Sequence, residues 1–123
     1  MAVILLVEDD VFVRNIAEMM IREFGHDTLP ADDMEEALGF LHSAQPIDAL
    51  ITDIRLKSAT QGGFELAQKA IGLRPKLRVL YVTGNSMTAE MSALFVDGGQ
   101  FLQKPYSEIQ FQQSVEKLVA TSA

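Results

Sequence analysis

The chain contains no cysteine, which excludes disulfides, thiolate metal centres and cysteine nucleophiles and fits a reducing cytoplasm. It also lacks an apolar run long enough to span a membrane. Met1-Ala-Val-Ile-Leu-Leu-Val is apolar, but it has no basic leader or small-residue cleavage site, and acids follow it directly. It reads as a first strand, not a signal peptide. Basic charge is scarce: Lys and Arg number 10 against 17 Asp and Glu, for a net charge of −7. That balance argues against a nucleic-acid surface, which needs clustered cations. Repeats and low-complexity segments are absent. What remains is a chain of 123 residues, 48% hydrophobic and 22% charged, enough for one soluble globular domain and too short for two.

Apolar runs at Val3–Val7, Ala49–Thr52 and Leu77–Thr83 have the length and continuity of strands buried on both faces. Gln100–Leu102 reads as a further strand, and His26–Pro30 as a short, weak one. Helices are expected between them. The first runs from about Val11 to Phe24, with Asp10 at its N-cap and Gly25 at its stop. The second opens on the capping box Asp33-Met-Glu-Glu36, shows Met34, Ala37, Leu38 and Leu41 on one face, and is closed off by Pro46. A polar loop, Lys57–Gly63, leads to a third helix from about Phe64 to Gly72. A fourth is expected near Thr88–Val96. The last follows the capping box Ser107-Glu-Ile-Gln110 and buries Phe111, Val115, Leu118 and Val119. Five strands alternating with five helices imply an α/β fold with a doubly wound parallel sheet, and the flavodoxin-like order 2-1-3-4-5 suits five strands.

In such sheets chemistry collects at the carboxyl ends of the strands. The 2-1-3-4-5 order sets strands one and three side by side, so Glu8, Asp9 and Asp53 meet at one edge. Three converging carboxylates repel one another unless a cation intervenes. Mg²⁺ suits them: it prefers oxygen ligands and commonly uses one or two carboxylates plus a phosphate. Without Cys, and with His26 and His42 far from this edge, zinc is disfavoured. Thr83 ends strand four with a hydroxyl. Lys104 follows strand five with an ammonium suited to a carboxylate or phosphoryl oxygen, and Pro105 makes a cis Lys104–Pro105 bond accessible. Taken singly, each has a plain structural reading: Asp opens turns, Thr fills strands, Lys sits on surfaces, and an acid pair starts a helix. Their meeting at one edge carries the functional reading.

These residues resemble, in order and spacing, the motifs of the receiver domain of bacterial two-component response regulators, over essentially the whole chain from Val3 to the last helix. The resemblance implies a phosphoacceptor at Asp53, with phosphate taken from a histidine kinase or histidine phosphotransfer protein. It implies Mg²⁺ held by Glu8, Asp9, Asp53 and the Arg55 backbone carbonyl, with Thr83 and Lys104 on the phosphoryl oxygens. Phe101 holds the place of the switch aromatic. A downstream protein would read the face of helix four, strand five and helix five. The implied protein is a cytoplasmic phosphorelay module and not an enzyme, with no nucleic-acid or membrane partner, as a monomer or a phosphorylation-dependent dimer. Residues 1–123 are then a receiver domain with no output domain in the chain. Asp10, one past the acid pair, reads as an N-cap.

Three features depart from the family pattern. Lys57 stands where proline is usual, in a loop slightly longer than the norm. Gly84 follows Thr83 where Ala or Ser is common, and Tyr81-Val-Thr-Gly84 is similar to a branch with a Thr-Gly pair there. Phe101 has no hydroxyl. Rival readings are an aspartate-nucleophile phosphohydrolase, a flavin or nucleotide binder on the same fold, and a receiver that no longer accepts phosphate. The first usually carries a second acid two residues past the nucleophile, where this chain has Arg55. The second wants a phosphate-cradling loop after strand one, where this chain has Glu8-Asp9-Asp10. The third conflicts with an intact set of acids, Thr83 and Lys104.

Overall fold

The computed structural model describes residues 2–56, 62–84 and 88–120. Along the chain run β1 (Val3–Val7), α1 (Val11–Glu23), β2 (Asp27–Ala31), α2 (Met34–His42) and β3 (Ala49–Asp53). They are followed by α3 (Gly62–Leu73), β4 (Arg78–Thr83), α4 (Ala89–Ser92), β5 (Gln100–Gln103) and α5 (Glu108–Ala120). The strands form one parallel sheet in the order β2-β1-β3-β4-β5. Strand order and class are therefore those expected from the alternation.

Strand parity divides the core. Leu5, Val7, Leu50, Val79 and Tyr81 face α2 and α3, whereas Ile4, Leu6, Ile51, Leu80 and Val82 face α1 and α5. β3 lies between β1 and β4 and is buried along its whole length, which is why it reads as an unbroken apolar run. β2 is an edge strand, and its Pro30, which cannot donate to a ladder, is tolerated there.

Local signals set most helix starts. Asp10 accepts from the amides of Phe12 and Val13 (2.9 and 3.1 Å) and α1 ends before Gly25 at φ +96°. Ser107 and Gln110 exchange side-chain-to-backbone hydrogen bonds of 3.1 and 2.8 Å, the reciprocal box expected for α5. The box at α2 differs in one leg. Asp33 accepts from the Glu36 amide at 2.9 Å, but the Glu36 carboxylate reaches the amide of Asp32, one residue further upstream, at 2.6 Å.

Two helices depart from expectation. α3 begins at Gly62, two residues before Phe64: Gly62 and Gly63 are buried, Gly63 against the Asp53 main chain at the end of β3, and are not part of a solvated loop. The rest of the expected loop, 57–61, lies outside the described residues. α4 is much shorter than Thr88–Val96: it stops at Ser92. Thr88 caps it as a start signal should, accepting from Met91 N at 3.1 Å. Further on, the Val96 amide, which a continuing helix would direct at Ser92, donates to the Tyr81 hydroxyl at 3.1 Å. Phe95 stacks on the Tyr81 ring at 4.4 Å, and Phe101 lies 6.2 Å from Phe95. Tertiary contacts with β4 thus replace the helical bonds. Among the described residues no helix is long and apolar enough to cross a membrane.

Candidate functional site

The carboxyl ends of β1, β3 and β4, and the turn after β5, meet in a cleft of about 320 Å³. Parity extends past the strand ends: Glu8 and Asp53 continue the face of Ile4, Leu6, Ala49 and Ile51 that packs on α1 and α5. Both are buried, at 5% and 9% exposure. The Lys104 ammonium lies between them, 2.9 Å from Glu8 Oε1 and 3.0 Å from Asp53 Oδ1. The Lys104–Pro105 peptide is cis, and the Lys104 amide donates to the Thr83 carbonyl at 2.7 Å.

The main chain around the acids is held on several sides. The Asp10 amide donates to Glu8 Oε2 at 3.1 Å, and the Thr52 hydroxyl donates to the Asp53 carbonyl at 2.9 Å. The Ile54 amide is tied to Val82 at 3.0 Å. Glu8, Asp9 and Asp53 each bring a carboxylate oxygen within 4.8 Å of the others. Arg55, Thr83 and Gly84 line the same cleft. A Cβ added at Gly84 would meet nothing within 4 Å among the described residues.

The charges are not balanced. Burial, then the hydrogen bond and charge of Glu8, push the Asp53 carboxyl up to about 8 against the pull of Lys104. For Glu8, burial also acts upward, but hydrogen bonds from Asp53, Lys104 and the Asp10 amide outweigh it and hold the group below its ordinary value. Burial and mutual repulsion therefore favour a proton held between the two acids in the absence of a cation, with the upward pressure falling on Asp53. Burial lowers the Lys104 value, but the two carboxylates more than reverse this and raise it.

An all-oxygen donor set, clustered and short of positive charge, is the chemistry that a hard divalent cation satisfies. Glu8, Asp9 and Asp53 would hold such an ion. Of the residues singled out from sequence, the structure brings Glu8, Asp9, Asp53, Thr83 and Lys104 to this cleft. Phe101 lies outside it, 45% exposed on β5.

A sequence model for the response regulator receiver domain matches residues 4–116. The chain belongs to that family. Among solved structures, a response regulator receiver protein from Sinorhizobium medicae superposes with a TM-score of 0.89 at 24% identity, over 99% of this receiver and 97% of that chain. The receiver domain of the hybrid histidine kinase CckA is 30% identical, with a TM-score of 0.78 over 95% of this chain and 98% of its own. The transcriptional regulatory protein YrkP of Bacillus subtilis is 29% identical over 106 residues, which are 85% of this receiver and 44% of YrkP. This receiver thus spans less than half the length of that curated relative.

Other residues shape the site and drew no functional reading from sequence. Gly63 lies against the Asp53 main chain; its signal was the Gly62-Gly63 pair, which reads equally as a loop. Tyr106 stacks on Phe111 at 5.0 Å and lies within the electrostatic reach of Lys104, Glu8 and Asp53. Arg14 approaches the acid corner from α1.

Proposed function

We propose that this receiver accepts a phosphoryl group on Asp53 from a histidine kinase or histidine phosphotransfer protein in the cytoplasm, and passes the event on by protein contacts. One observation carries the reading: Asp53 is a buried carboxylate at the end of a central strand, 3.0 Å from a lysine ammonium and in reach of two further acids. Attack by an Asp53 carboxylate oxygen on phosphorus forms an acyl phosphate and breaks the P–N bond of a phosphohistidine. The electron pair and a proton remain on the imidazole. Hydrolysis later returns the Asp53 carboxylate and inorganic phosphate. Lys104 and the Thr83 hydroxyl would take phosphoryl oxygens, a reading supported by both residues lining the cleft with Asp53, and preorganised charge of this kind is the main source of catalysis in phosphoryl transfer. Mg²⁺ at Glu8, Asp9, Asp53 and the Arg55 carbonyl would supply the remaining neutralisation. Asp53 is itself the acceptor, so the domain is a signalling component and not an enzyme acting on an outside substrate.

Wild type and Asp53→Asn are to be incubated with acetyl phosphate or phosphoramidate plus Mg²⁺ and weighed by intact mass spectrometry. A gain of one phosphoryl group is expected in wild type alone. No gain in either protein, with both donors, sinks the reading.

Phosphorylation adds roughly −1.5 to −2 of charge and new acceptor oxygens near neutral pH. Thr83 turns toward them, and Phe101 follows into the space released, altering the face of α4, β5 and α5 that a downstream protein or a second receiver reads. Phe95, stacked on Tyr81 and tilted against Phe101 at 6.2 Å, must give way for this to happen. Amide spectra recorded with and without a beryllofluoride mimic plus Mg²⁺ are expected to differ around Phe95–Phe101. Spectra unchanged there would rule the switch out.

A further inference from the structure

We infer that Arg14 is a positioning residue for the acid corner: by clamping the Glu8 carbonyl it sets the direction from which Asp9 offers its carboxylate to a divalent cation. This rests on the cation reading above. Arg14 stands in the first turns of α1, where its amide donates to Asp10 O at 2.9 Å. Its guanidinium is largely buried, with the side chain 18% exposed, and Nη1 donates both to the Glu8 carbonyl at 2.8 Å and to Asp32 Oδ1 at 3.3 Å. Asp32 belongs to the neighbouring corner, between β2 and α2, where its amide is fixed by Glu36 at 2.6 Å. The two corners are also joined by the Glu8 amide, which donates to Ala31 O at 3.1 Å. The peptide between Glu8 and Asp9 is therefore restrained through its carbonyl, while the Glu8 side chain is held by Lys104 and the Asp10 amide.

This restraint matters because three consecutive acids, Glu8, Asp9 and Asp10, occupy one tight corner and must point different ways. Glu8 turns in toward Lys104, Asp10 caps α1, and Asp9 is left to complete the cluster with Asp53. Rotation of the Glu8–Asp9 peptide would move Asp9 away from the other two. Groups that orient metal ligands from behind are commonly worth roughly 10–100-fold in metal affinity.

The geometry separates positioning from two simpler roles. If Arg14 acted only through its charge, removing it would relieve repulsion of Mg²⁺, and binding would tighten. If it only braced the fold, its loss would lower stability and leave the affinity of the folded protein unchanged. Positioning alone weakens binding in a folded protein. Lysine keeps the charge but not the planar fork, and its ammonium sits on a more flexible stem, so Arg14→Lys falls between wild type and Arg14→Ala.

The test is a calorimetric titration with MgCl₂ of the full chain, wild type, Arg14→Lys and Arg14→Ala, each with its far-ultraviolet circular dichroism recorded beforehand. Expected are native spectra, Mg²⁺ affinity about tenfold weaker in the alanine variant, and an intermediate value for lysine. Affinity equal to or tighter than wild type in either folded variant overturns the inference, and Arg14→Lys decides alone if Arg14→Ala does not fold. Wild type that binds no Mg²⁺ overturns the cation reading itself, and the inference with it.

Discussion

Gly63→Ala is expected to destabilise the domain by about 3 kcal/mol or more. A Cβ built at Gly63 would overlap the carbonyl oxygen of Asp53, and would lie 2.8 Å from Ile54 Cα and 2.9 Å from the Asp53 carbonyl carbon. All of these are backbone atoms, so no rotamer change relieves the clash. Both sides are pinned: the Gly63 amide donates to Ile54 O at 2.8 Å, and Ile54 N to Val82 O at 3.0 Å. Either α3 lifts from β3, or the Asp53 main chain moves and takes its carboxylate with it. Gly39 in α2 and Gly72 in α3 serve as helical controls, because a Cβ at either meets nothing within 4 Å among the described residues. Alanine there is expected to stabilise by up to about 1 kcal/mol through helix propensity. Urea unfolding of the three variants checks this, and a Gly63→Ala midpoint close to wild type would contradict the close approach.

With divalent cations chelated, stability is expected to fall as pH rises from about 4 to about 8. The Asp53 carboxyl is raised from 3.8 to about 8 by burial and by Glu8. A group raised on folding contributes stability that is fully present below its unfolded value and is lost as pH climbs through its folded value. Glu8 has the opposite sign: its value is lowered, so its contribution is present above the ordinary glutamate range and lost only on strong acidification. Lys104 is raised, and its contribution is lost only beyond the ordinary lysine range. Between these limits Asp53 sets the slope.

Asp53→Asn cannot ionise and is expected to flatten that slope, leaving the cation-free variant roughly 1–3 kcal/mol more stable than wild type near about pH 9. Lys104→Met acts the other way, because it leaves the buried Glu8 carboxylate without its cation and drives Asp53 further toward the neutral acid, and it costs about 2–4 kcal/mol near about pH 8. Adding Mg²⁺ to wild type at alkaline pH recovers much of the loss, since a cation favours the ionised acids. Chemical denaturation across this range, with chelator and with Mg²⁺, measures all three effects. A flat wild-type profile would show that Asp53 is not held protonated.

How much of this was legible from residues alone depended on where each determinant lay. β3 was readable because burial on both faces demands an apolar run, and α5 because Ser107 and Gln110 cap each other over three residues. Parity and strand order then brought Glu8, Asp53 and Lys104 together. α4 was misjudged because its end is set from outside: the Tyr81 hydroxyl captures the Val96 amide, and no local signal reports a partner 15 residues away. Gly62 and Gly63 suggested a loop, since glycine is a poor helix former; both are buried at the start of α3, and Gly63 stands there because only a residue without a side chain fits against Asp53. Arg14 could not be singled out, because its partner in the site is a main-chain carbonyl, which leaves no trace in sequence.

The chain carries two tyrosines and no tryptophan, and the fold sets those two phenols at opposite ends of the proposed signal. Tyr106 sits beside the acid cluster, stacked on Phe111, and burial raises its pKa. Tyr81 holds the segment after α4 by its hydroxyl, and burial raises its pKa too. Neither phenol ionises near neutral pH, so their near-ultraviolet bands report packing and hydrogen bonding, not titration. The two bands overlap, so Tyr81→Phe and Tyr106→Phe variants would each leave one reporter, beside the acid cluster in the first and at the Val96 contact in the second.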